Sequence, residues 1–293
     1  MAYIIISDTA CDLPPLLTLE MGVKYQPFTI YINGKKYLNY FDERELKYKN
    51  LFAMLKEGYE IETRPLEVSE TKDFFKKYLN KKLDILCITV SSSLSESFNN
   101  ISLAAQELAN EFPERTIRVV DSLSTSTGLG LLVYLAARNR EQKMSLRDNL
   151  DYIELHKDKI RHWVTMNNTD FIYKSGKLLD FGSVGKLFNL KPIIKISDDG
   201  QLVVDSKKMN KEKAIKIMIQ NAITKVDDFE EAPTFVAYSG LSDNEAKKVI
   251  SELEKEYKRL GINSKIYLTR FSVIHSVFLG DDAIAIFNLG DER

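Results

Sequence analysis

Apolar and polar positions along the chain follow two periods, and the switches between them mark out its elements. The run "YIIIS" at residues 3–7 is almost continuously apolar and predicts a strand buried on both faces. "YQPFTIYINGKKY" at 25–37 alternates around Asn33-Gly34, a pair suited to a tight hairpin turn. "ERELKYKNLFAMLK" and "SETKDFFKKYL" carry helical spacing. "LDILCITV" and "TIRVVD" are apolar again. Each leads into a helix, one from Ser95 to about Glu111, the other from about Ser126 to Arg138. Strand and helix alternate through this half, which predicts an α/β domain built on a parallel, doubly wound sheet.

The polar helix "SLRDNLDYIELHKDKI" closes that half, and the pattern then changes. "RHWVTM", "PIIKIS", "QLVVDS", "TFVAYSG", "SKIYLTR" and "DAIAIFNL" read as short strands. Among them lie two evident helices, "KEKAIKIMIQNAI" and "DNEAKKVISELEKEYKRL". More strands than helices predicts an α+β second domain. We place the boundary near Lys157, giving domains of 1–157 and 158–293. A chain of 293 residues is comfortable for two such units.

Composition narrows the function by exclusion. Apolar residues make up 44% and charged residues 28%, the balance of a globular protein. The formal charge is −1, from 41 basic and 42 acidic residues, so there is no basic excess to hold a nucleic-acid backbone. "MAYIIISD" has no basic segment before its apolar run and no small-residue cleavage site, so it is expected not to be a signal peptide. No apolar stretch reaches membrane-spanning length, and a cytoplasmic protein is expected. Cys11 and Cys87 form no motif and read as small buried hydrophobes.

Chemistry gathers at three strand ends. "IIISDTACDLP" supplies Ser7, Asp8 and Thr9; "ITVSSSLSESF" supplies Ser91 to Ser93, Ser95 and Ser97; "RVVDSLSTSTGLG" supplies Asp121, Ser122, Ser124 and Ser126. Ligands of open parallel sheets bind beyond the carboxyl ends of the strands, where helix N-termini offer free N–H groups. Any one cluster could be only a helix cap. Three clusters at one sheet edge favour a ligand site for a small, weakly charged anion, with Asp8 and Asp121 organising the loops. There is no G-x-x-x-x-G-K-[ST] phosphate loop, no G-x-G-x-x-G and no G-x-S-x-G elbow. His156, His162 and His275 lack metal-ligand spacing.

"SSSLSESF" resembles the S-S-x-L-S-G-T-Y signature of the DegV family of bacterial fatty-acid-binding proteins. "ISDTACDLP" looks like that family's T-D-S-x-x-D-L-P, and "VVDSLSTSTGLG" resembles its V-I-D-S-x-x-x-S-x-G-L-G. "TDFIYKSGKL" is similar to L-x-Y-L-x-x-G-G-R-I, and "LFNLKPIIKISDDGQL" to L-L-N-I-K-P-I-L followed by an acidic-Gly turn. The resemblance implies an N-terminal parallel α/β/α domain and a C-terminal α+β domain, with a long-chain fatty acid between them. It implies a lipid-binding subunit with no catalytic residues, metal or cofactor of its own. Such a subunit presents the acyl carboxylate to a separate ATP-dependent fatty acid kinase and touches the membrane only transiently.

Carried over position by position, the family's carboxylate contacts fall on Thr63, Ser95, Lys177 and His275, with Arg64, Ser92 and Ser97 beside them. Several positions depart from the family pattern. Arg64 and Pro65 follow Thr63 in place of Ser and Gln, Glu96 and Ser97 follow Ser95 in place of Gly and Thr, and Lys177 stands where the family has Arg. "HSVFLGDD" replaces a glycine-bearing segment after His275. Two other readings remain: a stand-alone hydrolase or acyltransferase using a serine of 91–97 with His275 as base, and a lipid-sensing regulatory module.

Overall fold

The computed structural model describes residues 2–179, 190–224, 232–240 and 243–293. In the first half, β1 (Tyr3–Asp8) is followed by the short α1 (Pro15–Glu20) and β2 (Lys24–Gln26). A hairpin of β3 (Thr29–Ile32) and β4 (Lys35–Leu38) leads to α2 (Tyr48–Lys56), β5 (Ile61–Arg64) and α3 (Val68–Leu79). Then come β6 (Asp84–Thr89), α4 (Ser97–Glu111), β7 (Ile117–Asp121), α5 (Ser126–Glu141) and α6 (Leu146–His156). Strands β2-β1-β6-β7 pair in that order, all parallel, as the alternation predicted. Every residue of β6 is buried, as a strand covered by helices on both faces requires.

The second half holds β8 (Ile160–Thr165), α7 (Asp170–Lys174), β9 (Leu178–Leu179), β10 (Lys191–Ile196), β11 (Leu202–Lys208) and α8 (Lys211–Ile223). It ends with β12 (Thr234–Tyr238), α9 (Asn244–Leu260), β13 (Ile266–Arg270), α10 (Val273–Leu279) and β14 (Ile284–Leu289). Among the described residues these strands form one mixed sheet in the order β13-β12-β14-β8-β10-β11-β9. Helices α8 and α9 cover one face of it through Ile215, Met218, Val249 and Leu253, packed on Trp163, Ile193 and Val236. The hairpin and β5 form a small third sheet, β4-β3-β5.

Helix α5 joins the two large sheets. Its apolar residues run round the cylinder instead of along one stripe, and Leu129, Leu131, Leu132, Val133, Ala136 and Ala137 are all fully buried. A helix apolar on every side must be covered on every side. It packs on β1 and β6 of the first sheet and on β8, β12 and β14 of the second. The largest core cluster accordingly runs from Ile4 to Leu289 across both halves.

Two predicted helices begin later than their periodicity suggests. The pattern from Glu43 becomes helical only at Tyr48, because Glu43 takes a left-handed backbone (φ 56) and its carboxylate accepts the Tyr48 N–H at 3.1 Å. Helix α4 starts at Ser97, because the N–H groups of Leu94 and Ser95 are already bonded to the Ser91 carbonyl in a turn. Residues 187–189 of "LFNLKPIIKISDDGQL" lie outside the described residues.

Candidate functional site: a polar-ended apolar cavity between the sheets

Because β1, β6 and β7 are parallel neighbours, their carboxyl ends fall on one edge, and the loops leaving all three reach a common cavity of about 280 Å³. Ala10, Val90, Thr125 and Ser126 line it from those loops. The second half closes it with His162 and Val164 of β8, Ile194, Leu202, Phe287, and Phe271 to Leu279 around α10. Most of this wall is aliphatic or aromatic. Thr63, Arg64, Ser95, Glu96, Lys177 and His275 are among the few polar groups on it. An apolar cavity with a small set of polar groups is the form of a site for an amphipathic small molecule.

Five of the seven residues singled out from sequence therefore line this cavity: Thr63, Arg64, Ser95, Lys177 and His275. Ser92 and Ser97 do not line it. The Ser92 N–H donates to Asp121 Oδ1 at 3.2 Å. The buried Ser97 Oγ accepts the Leu66 N–H at 3.0 Å and shares a 2.9 Å hydrogen bond with Ser95 Oγ. Ser97 thus ties the loop after β5, which carries Thr63, to the turn that carries Ser95. Arg64 reaches the cavity edge, but its guanidinium pairs with Glu62 at 3.0 Å and stacks over the Tyr31 ring.

Lys177 is the group best fitted to take an anion. Its ammonium donates to the Leu94 carbonyl at 2.7 Å and lies 5.2 Å from the centre of the Phe278 ring. No carboxylate is paired with it among the described residues. Burial pushes its pKa down from the ordinary lysine value, since a desolvated ammonium without a counter-ion is disfavoured. An anion arriving beside it would relieve that cost.

Most of the other hydroxyls in the serine-rich stretch serve the fold. Ser91 Oγ donates to the Gly200 carbonyl at 2.9 Å, and Ser93 Oγ donates to the Asp199 carbonyl at 2.6 Å. Both pin the β10–β11 turn onto the first half. Gly200 has φ +80, and a Cβ there would stand 2.2 Å from Ser91 Oγ, so the turn needs glycine twice over. The two acids expected to organise loops do so. Asp8 accepts the N–H groups of Ala10 and Val90 and the Thr89 hydroxyl, and Asp121 accepts the N–H groups of Ser92 and Leu123. Burial raises the pKa of Asp8 against the pull of those hydrogen bonds.

The residues behind His275 left less trace in the sequence. His275 Nδ1 lies 2.7 Å from Asp12 Oδ2, and Nε2 lies 2.8 Å from Thr125 Oγ1. Asp12 is buried, and its Oδ2 also accepts the Ser126 hydroxyl at 2.6 Å. His162, which also lines the cavity, holds Ser124 Oγ at 2.7 Å. Burial keeps its pKa well below the usual histidine value, so the ring is neutral. Gly128 makes room for it: a Cβ at that position would sit 2.2 Å from His162 Nε2.

The family model described as "Uncharacterised protein, DegV family" matches residues 3–290. The chain belongs to the DegV family. A DegV domain-containing protein of Clostridium perfringens is 25% identical over 292 residues, covering 99% of this chain and 98% of its own. A DegV-family structure from Ruminococcus gnavus, refined with vaccenic acid, superposes with a TM-score of 0.84 at 19% identity, over 98% of this chain and 99% of its own. A second, described as fatty acid binding of a DegV family protein from Thermus thermophilus, gives a TM-score of 0.83 at 21% identity, over 99% and 100% of the two chains. The fold of this DegV chain is thus that of proteins solved with, or described as binding, fatty acids. Among its described residues no group of His, Cys, Asp and Glu is arranged to hold a metal ion, and no helix is long and apolar enough to cross a membrane.

Proposed function

We propose that this DegV protein binds a long-chain fatty acid in the cavity between its halves, 1–157 and 158–293, with the carboxylate at Thr63, Ser95, Lys177 and His275. The observation that carries this reading is the Lys177 ammonium, half-buried on an apolar wall without a carboxylate partner among the described residues. The energetics fit such a ligand. Each buried methylene contributes about 0.8 kcal/mol, so the tail supplies most of the affinity. A hydroxyl–carboxylate hydrogen bond adds about 1.5–3 kcal/mol and fixes which end is polar. Ser97 and Ser92 act behind the ligand by holding the loops.

The chain carries no phosphate-cradling loop, and we assign the ATP chemistry to a separate kinase subunit that meets the bound carboxylate at the cavity mouth. The protein is then a cytoplasmic carrier without catalytic residues, meeting the membrane transiently to load. Protein, labelled fatty acid and ATP are mixed with and without a fatty acid kinase from the same organism. Acyl phosphate is expected only with the kinase. Acyl phosphate made by this chain alone would overturn the carrier reading.

One observation favours a second reading. No serine of 91–97 bonds His275, but Thr125 does, and Asp12 sits on the other ring nitrogen. A hydroxyl, an imidazole and a carboxylate in line can activate a nucleophile for acyl transfer. Incubation with 4-nitrophenyl palmitate distinguishes the two. Nitrophenol release and a covalent acyl group on Thr125 would support acyl transfer, and neither is expected of a carrier.

A further inference from the structure

Few of the charges around the cavity mouth are free. Two cationic side chains line it, Lys177 and Arg64. Arg64 is taken by Glu62, with Nε 3.0 Å from Oε1 and Nη2 3.4 Å from Oε2. His275 Nδ1 lies 2.7 Å from Asp12 Oδ2, and that carboxylate offsets any charge the ring acquires. Lys177 is left as the cation without a carboxylate partner among the described residues, its ammonium bonded only to the Leu94 carbonyl and set against the Phe278 ring. Glu96 lines the same mouth, between Ser95 and the first residue of α4. Its side chain is exposed and makes no cap bond; Oε2 accepts the Asn99 amide N–H at 2.9 Å, and no Lys or Arg pairs with it among the described residues.

We propose that Glu96 sets the head-group charge that the site accepts: one negative charge is held beside Lys177, and a second is opposed by the Glu96 carboxylate. This deepens the fatty-acid reading and rests on it. A carboxylate brings one charge and uses it on Lys177. A phosphate monoester brings about −1.5 to −2 at pH 7, and a single unpaired ammonium meets it. Coulomb repulsion is proportional to the ligand's charge, so at one position Glu96 costs a dianion about twice the free energy that it costs a monoanion. Transfer of the γ-phosphoryl group of ATP to a carboxylate oxygen, with ADP leaving, turns one head-group charge into about two. The residue that tolerates the acid thus favours release of the acyl phosphate made from it.

The test titrates tetradecanoate and tetradecyl phosphate calorimetrically into the wild type, Glu96→Gln, Glu96→Asp and Glu254→Gln, at neutral pH and low ionic strength. Glu254→Gln makes the same charge change on α9, outside the cavity lining. Gln can still accept the Asn99 bond, and urea unfolding checks that each variant is folded. Glu96→Gln is expected to tighten the acid by about threefold and the phosphate by about tenfold, roughly the square of the first gain. In about 1 M salt, where the screening length is about 3 Å, both gains should vanish. Glu96→Asp, which keeps the charge, and Glu254→Gln should leave both affinities near those of the wild type. A Glu96 that only steadied the start of α4 would move both ligands alike. Equal gains, a gain that survives high salt, or no gain for the phosphate would therefore overturn the proposal. A wild type that takes up neither ligand would instead sink the fatty-acid reading itself.

Discussion

At the scale of single residues, the proposed head-group site separates groups that line the cavity from groups that hold them in place. Ser95 faces the cavity, while Ser97 behind it is bonded to Ser95 and to the Leu66 N–H. Replacing Ser95 or Thr63 by Ala should weaken fatty acid binding by about 1.5–3 kcal/mol each, the value of one charged hydrogen bond, while the tail contribution remains. Calorimetry on the folded variants checks this, and unchanged affinity in both would place the carboxylate elsewhere. Lys177 should give the proposed site a pH dependence. Its pKa is depressed in the free protein, and a bound carboxylate raises it again. Between those two values binding takes up a proton, so affinity should fall as pH rises through the window. Titrations at increasing alkaline pH should show this loss in the wild type and a flat profile in Lys177→Gln.

At the scale of elements, legibility followed how local the signal was. The strands "YIIIS" and "LDILCITV" could be read because continuous burial leaves continuous apolar runs, and they became β1 and β6. Helix α10, "VIHSVFL", went unread, since a short apolar segment without a polar face has no diagnostic period. The chain positions 12, 125 and 275 meet only through the packing of α5 and α10, and no local pattern announces such a meeting. A sequence reader could have noted Thr125 as one more hydroxyl in a cluster, but not that it forgoes its cap. The serine-rich stretch was half legible: the clusters do mark the cavity edge, yet Ser91 and Ser93 hold the β10–β11 turn. Ser91→Ala should therefore cost about 1–3 kcal/mol of stability, as the buried Gly200 carbonyl loses its donor. Urea unfolding measures it, and a variant as stable as the wild type would deny the hydroxyl its stitching role.

At the scale of the molecule, one helix buried on all sides binds two sheets into a shared core, and the cavity lies where their facing edges leave space. Such an arrangement couples ligand binding to the stability of the whole. A ligand that binds only the folded state stabilises it by mass action, about 2.7 kcal/mol at a hundred times its dissociation constant. Long-chain fatty acid should accordingly raise the thermal midpoint with the logarithm of its concentration above the dissociation constant, and differential scanning calorimetry would show it. No shift at saturating fatty acid would mean that the ligand does not engage the fold.

Fatty acid binding is tested most directly by native mass spectrometry of the purified, delipidated protein after addition of a long-chain fatty acid. One fatty acid per chain is expected in the wild type, and a reduced bound fraction in the Ser95→Ala, Thr63→Ala double variant. Bare polypeptide under every loading condition, with the protein folded, would contradict it.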